Sequence, residues 1–233
     1  HNRRDNATID FAISLPGMFA VPKYSDSLIN IANSRGITRH QQSHLTRVDH
    51  KRSLVTIEKL DDKSTKQLKY DLLHIVPPMT APEVIASNKD LTTPETGPYV
   101  AVDKATLQSV KWKNIFSLGD CSSLPTSKTA AAIASESEVL VNNLLKTMQG
   151  ENNLDSYDGY TSCPLITGYN KGIIAEFLYD GKVKETLPMD QSQERRLHSF
   201  IKKSVLPHLY WNGMLAGRWP GPKHLRKLIN PFS

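Results

Sequence analysis

The chain of 233 residues is poor in cysteine: it has two, Cys121 and Cys163. Two thiols cannot build a disulfide framework, and no Cys-x-x-Cys spacing is present to hold a metal. No run of 18 apolar residues occurs, so no helix is expected to span a bilayer. No Gly-x-Gly-x-x-Gly follows the first expected strand, where the corner reads Ser14-Leu-Pro-Gly-Met-Phe-Ala-Val21. Without those glycines the backbone cannot readily embrace a pyrophosphate, which argues against a nicotinamide cofactor in this part of the chain unless the motif lies just upstream. Internal repeats and low-complexity segments are also missing. A first residue of His rather than Met reads as a fragment, with any targeting peptide upstream.

Hydrophobic residues make up 39% and charged residues 22%, ordinary values for a globular protein with one large domain or two small ones. The net charge of +6 and isoelectric point near 9.2 suit an anionic membrane surface or nucleic acid, or serve only solubility. Thr8 to Leu15 reads as a strand, and Tyr24, Leu28, Ile31 and Ala32 share one helical face. Ile37 to Thr46 is polar and indistinct. Val48 to Leu60 reads as two strands with a turn near Lys51, and Gln67 to Asp71 pairs back after a turn at Asp61 to Thr65. Leu72 to Val76 is a continuous apolar run, read as a buried strand. Pro77 to Pro98 is a Pro- and Thr-rich crossover, followed by a short strand and turn over Tyr99 to Gln108.

The stretch that organises the chain is Asn114 to Gln149. Asn-Ile-Phe-Ser-Leu-Gly119-Asp120 reads as a buried strand with an acid at its tip. Thr126 and Ser127 are N-cap candidates for an Ala-rich helix that Gly150 stops. A helix start of small residues presents unpaired N–H groups and a positive dipole end to an anion or an electron-rich ring edge. The same pattern fits an ordinary α/β unit with a solvated Asp120. Strands are expected at Leu165 to Tyr169 and Ile173 to Tyr179. The tail from Arg195 to Ser233 carries an apolar stripe (Leu197, Phe200, Ile201, Val205, Leu206), then Trp211 and Trp219 beside Arg218 and Lys223. Aromatic and basic neighbours suit a membrane interface; a helix packed on the body is the alternative. His40 and His44 have a metal-ligand spacing but no third ligand, and are read as surface histidines. Cys163 lies in Thr161-Ser162-Cys163-Pro164 and is the candidate for a reactive cysteine; a buried free cysteine is the alternative.

The string Gly119-Asp-Cys-Ser-Ser-Leu-Pro-Thr-Ser-Lys-Thr-Ala-Ala-Ala132, with Tyr157-Asp-Gly-Tyr-Thr-Ser-Cys163-Pro-Leu-Ile-Thr-Gly-Tyr-Asn170, resembles the animal mitochondrial sulfide:quinone oxidoreductase family, over almost all of the chain and in the family's C-terminal half. The resemblance implies an α/β, glutathione reductase-like fold with two dinucleotide-binding domains, here partial and with amphipathic C-terminal helices. Residues 1–78 would be the rest of the second dinucleotide-binding-like domain and 79–150 the C-terminal part of the FAD-binding domain. Residues 151–194 would hold the redox cysteine and 195–233 a basic membrane-contacting tail. The resemblance further implies FAD as cofactor. Asp120 would hold its ribityl chain, and Lys128, Thr129, Ala130 and Ala131 would face the flavin. Cys163 would be one of two redox cysteines, the other lying before His1, and Cys121 a structural residue, although a Cys121–Cys163 disulfide stays open. The implied partners are hydrogen sulfide, ubiquinone and a small thiol or sulfite acceptor, at the mitochondrial inner membrane, with no nucleic acid and no metal. An NADH:quinone flavoreductase of the same fold and a non-catalytic membrane-surface module are the competing readings.

Overall fold

The structure is a computed structural model, and it describes residues 6–229. The expected domain and tail extend beyond these limits, and residues 1–5 and 230–233 lie outside the described residues. The chain divides into two compact units, His1–Pro77 and Pro78–Ser233.

In the first unit, strand β1 (Ile9–Ile13) pairs parallel with β2 (Ile37–Gln41) across helix α1 (Pro22–Ser34). Proline at the first position of α1 costs no hydrogen bond, because that N–H has no intrahelical partner. Tyr24 and Ala32 bury the inner face of α1, as their spacing predicts. Strands β3 (Ser43–Asp49), β4 (Leu54–Lys59) and β5 (Thr65–Lys69) form an antiparallel meander in the order β3-β4-β5. Val55 and Ile57 of β4 turn one face inward. Two expectations fail here. The segment over Ile37 to Thr46, read as indistinct, is β2 and the start of β3. The apolar run Leu72 to Val76 is no strand: it pairs with none of the described residues, and Leu72 is 92% and Val76 79% exposed.

The second unit begins with the short helix α2 (Glu83–Ala86) and a chain of isolated bridges. The run before Gly119 is also not a regular strand. Gln108 bridges Phe116, Ser109 N–H donates to Ile115 (2.8 Å) and Ser117 N–H to Leu107 (3.1 Å), too short a pairing to make a ladder. A 3₁₀ turn, Gly119–Cys121, follows, and then helix α3 (Ala130–Met148). The N-cap is Thr129, whose hydroxyl accepts from Ala132 N–H at 3.1 Å; Thr126, Ser127 and Lys128 precede the helix. Strands β6 (Thr161–Gly168) and β7 (Lys171–Phe177) form an antiparallel hairpin. Pro164 is tolerated in β6 because the hairpin has only two strands, so its missing N–H costs no ladder bond on the outer side. Helices α4 (Arg196–Phe200), α5 (Leu206–Leu209) and α6 (Lys223–Ile229) close the chain. Wide π-turns, Ile201–Val205 and Tyr210–Met214, follow α4 and α5. Leu107, Leu124, Tyr157 and Tyr160 form a buried apolar cluster, with Leu118 and Val139 against it.

Candidate functional site

The turn at Gly119 requires its glycine: φ is +66°, and an added Cβ would meet Ile133 at 3.2 Å. Its N–H donates to Oε2 of Glu136 at 2.7 Å. Glu136 lies on the inner face of α3 and is buried. Burial pushes its carboxyl up; the Gly119 N–H, the Lys128 charge and the Tyr157 hydroxyl pull the other way. With its neighbour so held, Asp120 stands exposed at the tip. The Cys121 thiol contacts the Leu118 carbonyl (3.4 Å) and the Ser117 hydroxyl (3.4 Å), contacts that finish the turn.

Lys128 is half-buried, and its ammonium donates to the carbonyls of Ser122 and Leu124 and lies 5.1 Å from the Tyr99 ring centroid. Burial lowers its pKa, opposed by Glu136, Asp120 and Cys121. The lysine thus clamps the loop between turn and helix. Beyond it, the amides of Ala130 and Ala131 find no acceptor among the described residues, as expected of a helix start.

The hairpin is tied to this loop. The Thr161 and Thr129 hydroxyls are 2.8 Å apart, and Thr161 donates to the Ser127 carbonyl at 3.3 Å. Thr126 donates to Gly159 at 3.2 Å. Two residues along β6, the half-buried thiol of Cys163 hydrogen-bonds the Ser127 side chain. Burial raises its pKa, and the Ser127 contact and the nearby Lys202 charge only partly offset this. Lys202 itself donates to the Pro164 carbonyl at 2.7 Å. Cys121 and Cys163 are both free thiols, so the open possibility of a bond between them is not realised.

Beneath Cys163, the hairpin is anchored by Glu176 of β7. This buried carboxylate accepts from the Tyr160 hydroxyl, the Thr186 hydroxyl (2.8 Å), the Thr186 N–H (2.7 Å) and Gln191 (2.7 Å). Arg226 of α6 is also buried, 4.9 Å from the Tyr160 ring centroid and 3.4 Å from the Thr186 hydroxyl. The end of the chain therefore packs on the body through Arg226, while Trp211, 68% exposed, and Phe200 face outward. Trp219 is half-buried, its Cβ 3.2 Å from where a Cβ on Gly213 would stand.

The residue reading overlooked both glutamates. A signal was present in each case. Glu136 shares a helical face with Asn143, one turn pair further along, and Glu176 interrupts the apolar run Ile173-Ile-Ala-Glu-Phe. The two histidines lie on strands, His40 on β2 and His44 on β3. His40 is largely covered and 2.7 Å from Asp10, so it is not the surface residue its sequence suggests. Among the described residues, no three histidines, cysteines or acids group as metal ligands, and no helix is long and apolar enough to cross a membrane.

The donor set suits a flavin. Two free N–H groups and three small side chains at the start of α3 leave room for a flat ring with acceptor atoms along one edge. Asp120 offers a bare carboxylate to a hydroxylated chain beside it.

No protein-family model matches the chain. Curated relatives do. A mitochondrial sulfide:quinone oxidoreductase of Dictyostelium discoideum is 46% identical over 232 residues, 100% of this chain and 50% of the relative. One of Mus musculus is 42% identical over 229 residues, 98% and 50%. Solved structures agree in fold. The sulfide:quinone oxidoreductase of Aquifex aeolicus matches 99% of this chain and 55% of its own at a TM-score of 0.75 and 17% identity. A chain from the Tetrahymena thermophila mitochondrial ATP synthase matches 91% and 51% at 0.76 and 22%. NDH2 of Plasmodium falciparum matches 96% and 58% at 0.58 and 13%. The chain thus has part of the mixed α/β fold of the flavoprotein disulfide reductases. Its sequence is similar to those of the mitochondrial sulfide:quinone oxidoreductases, and it spans about half the length of the curated relatives it matches.

Proposed function

We propose that this chain forms half of a flavoenzyme that oxidises hydrogen sulfide and delivers the electrons to ubiquinone. The observation that carries the reading is the tie between hairpin and helix. Thr161 and Thr129 join β6 to the start of α3, which sets the Cys163 thiol against Ser127, in the loop between the Asp120 tip and the helix. A sulfur chemistry and a flavin edge need that adjacency.

Cys163 works as one half of a disulfide with a cysteine of the full-length protein outside this chain. Hydrosulfide bonds to one sulfur of the pair and the S–S bond breaks, leaving a persulfide on one cysteine and a thiolate on the other. The persulfide's outer sulfur then goes to a small acceptor, a thiol such as glutathione, or sulfite. FAD, when bound, supplies the electron sink between the thiolate and the quinone. When it is bound, Asp120 would hold its ribityl chain, and Lys128, Thr129 and the Ala130 and Ala131 amides would face its ring. Burial keeps the Cys163 thiol protonated at neutral pH when it is reduced and free. Lys202, close to the sulfur, favours the thiolate whenever one is generated.

The test is to purify full-length Cys163→Ser and Cys121→Ser, confirm their flavin spectra and follow quinone reduction after adding sulfide. Loss in the first with retention in the second is expected. If neither change affects turnover, the sulfide-oxidising reading fails.

The exposed Trp211 and Phe200, with Lys202, Lys203 and Arg218 nearby in sequence, support contact with the inner mitochondrial membrane. Trp211→Glu should weaken binding of the full-length protein to anionic liposomes and slow reduction of long-chain quinones more than short-chain ones. Equal slowing of both would count against membrane contact.

A further inference from the structure

The second unit buries an arginine that makes no ion pair with any described residue. Arg226 of α6 is 6% exposed, and its Nε has no hydrogen-bond partner. A guanidinium taken out of water is strongly destabilising unless an opposite charge or a ring face compensates it. The ring centroid of Tyr160 lies 4.9 Å from its central carbon, and its Nη2 donates to the Thr186 hydroxyl at a long 3.4 Å. That hydroxyl has one proton, which goes to Oε1 of the buried Glu176 at 2.8 Å. The direction is thereby fixed, from guanidinium to hydroxyl to carboxylate. Tyr160 completes the ring of contacts: its hydroxyl donates to the same carboxylate oxygen while its face meets the cation.

These groups stand beside Cys163 in the strand register. Tyr160 is the residue before β6, and Ser162 of β6 hydrogen-bonds its hydroxyl. Glu176 pairs across the hairpin with Ser162, and the wholly buried Ala175 pairs with Cys163. The cation therefore acts on the cysteine strand at two points, one just before it and one across from it.

The other end of the tie is α3. The chain entering α6 passes Gly221 at φ +104°, where an added Cβ would run into the Ser135 hydroxyl of α3. That hydroxyl donates to the Pro220 carbonyl at 3.5 Å, and the Arg226 N–H donates to the Pro222 carbonyl at 2.7 Å. The segment before α6 is thus pressed on the helix capped by Thr129, while Arg226 reaches over to the hairpin. One side chain joins the two elements that Thr129 and Thr161 join at their other contact.

From this geometry we infer that Arg226 is a positioning residue for the chemistry at Cys163: bridged to Glu176 through Thr186 and stacked on Tyr160, it holds the cysteine strand in place against the start of α3. This role rests on the reading of Cys163 as the reacting sulfur. It requires the charge and not only the volume. A neutral side chain of similar length leaves Glu176 a buried carboxylate without its cation, and the network beneath the strand loosens. Misplacing a reacting group by about 1 Å slows a reaction on the order of a hundredfold.

The experiment compares full-length, flavin-loaded Arg226→Gln and Arg226→Lys with wild type in two readouts. One is sulfide-dependent quinone reduction; the other is alkylation of reduced Cys163 by iodoacetamide, resolved by peptide mass spectrometry. Arg226→Gln should lower kcat about a hundredfold, with KM for sulfide and flavin content unchanged, and should speed alkylation of Cys163 as the strand loosens. Arg226→Lys keeps the charge and should regain most of that loss, which a role in packing alone does not foresee. With Thr186→Val already in place, Arg226→Gln should cost less than it does in wild type, because the bridge is gone. Equal loss in the Gln and Lys variants, unchanged kcat in Arg226→Gln, or the same cost with and without Thr186 would overturn the inference. Where Arg226→Gln does not fold, Thr186→Val replaces it, with a lower kcat expected and an unchanged one overturning. If wild type itself fails to oxidise sulfide, the Cys163 reading falls, and alkylation alone then decides the tie: faster in Gln than in Lys supports it, and equal rates refute it.

Discussion

Glu136 and Glu176 are both buried carboxylates, and each holds one side of the candidate site. Glu176 accepts from Tyr160, twice from Thr186 and from Gln191, so its lone pairs are filled. Glu136 has one backbone donor at 2.7 Å, the Tyr157 hydroxyl and the partial charge compensation of Lys128. A fully satisfied buried network rigidifies what it touches; a partly satisfied one costs stability and keeps its charge available to its surroundings. In the proposed enzyme the hairpin with Cys163 would accordingly be a fixed platform for the covalent step, and the Gly119–Asp120 turn a binding edge whose electrostatics respond to what docks on it.

The largest expected effect separates chemistry from binding. Cys163→Ser should reduce sulfide-dependent quinone reduction by at least about a thousandfold while bound flavin is kept, because a hydroxyl at neutral pH replaces neither the nucleophile nor the exchangeable disulfide. Cys121→Ser should keep most of the activity, since Cys121 only completes a turn with Leu118 and Ser117. The reverse pattern would show that the reacting sulfur belongs to the turn and not to the platform.

Next in size is Glu176→Ala. It leaves the Thr186 N–H, two hydroxyls and the Gln191 amide without their acceptor in a buried place, at a cost of about 3–5 kcal/mol. Denaturant unfolding of the full-length protein should register that loss. A cost below about 1 kcal/mol would mean that water reaches the network and the platform is not rigid.

Asp120→Ala tests the binding edge. A charge-assisted hydrogen bond to the flavin's hydroxylated chain is worth about 1.5–3 kcal/mol, so flavin dissociation should strengthen by tenfold or more with little change in the apoprotein's unfolding. Unchanged flavin affinity would remove Asp120 from the site, and a large fall in apoprotein stability would make it a structural residue like Glu176.

The legible parts of this molecule were those where residue pattern and local geometry coincide. Gly119-Asp120 and the Ala-rich helix can be read directly, because a positive-φ glycine and small residues at a helix start each leave a chemical mark in the sequence; the first hairpin strand was expected from Leu165, whereas β6 begins at Thr161. Strand β2 was not legible, since Ile-Thr-Arg-His-Gln has no clean alternation and its strand state comes from parallel pairing with β1 28 residues away. Leu72 to Val76 misled in the opposite direction: hydrophobicity proposes burial, but only a pairing partner makes a strand. The helix start was misplaced by a few residues because Thr126, Ser127 and Thr129 are all competent caps. Thr126 and Ser127 are instead taken up by contacts with the hairpin. Both glutamates were missed for one reason: an acid in an amphipathic pattern is assigned to solvent unless its donors, which lie 10 to 17 residues away in the case of Thr186, Gln191, Tyr160 and Gly119, are known.

The smallest effect comes from the pH dependence of Glu136. Its folded-state pKa is raised, chiefly by burial, against the Gly119 N–H, the Lys128 charge and the Tyr157 hydroxyl, with Asp120 adding to the rise. A carboxyl raised in the folded state binds its proton more tightly there than in the unfolded chain. Its contribution to stability is therefore complete below the ordinary carboxyl pKa and is lost as pH rises through the higher folded value. Glu136→Gln keeps an oxygen for the Gly119 N–H but cannot ionise. Relative to wild type, this variant should gain stability as pH rises from about 4 through the carboxyl range, and the difference should level off once the native carboxylate is fully ionised. The shift should be modest, because three contacts cancel part of the burial cost. Thermal unfolding of both full-length proteins across that range measures it. A difference that moves the other way would show that Gly119 and Lys128 outweigh burial, which makes Glu136 a satisfied anchor like Glu176. The two sides of the site would then be held by the same kind of contact.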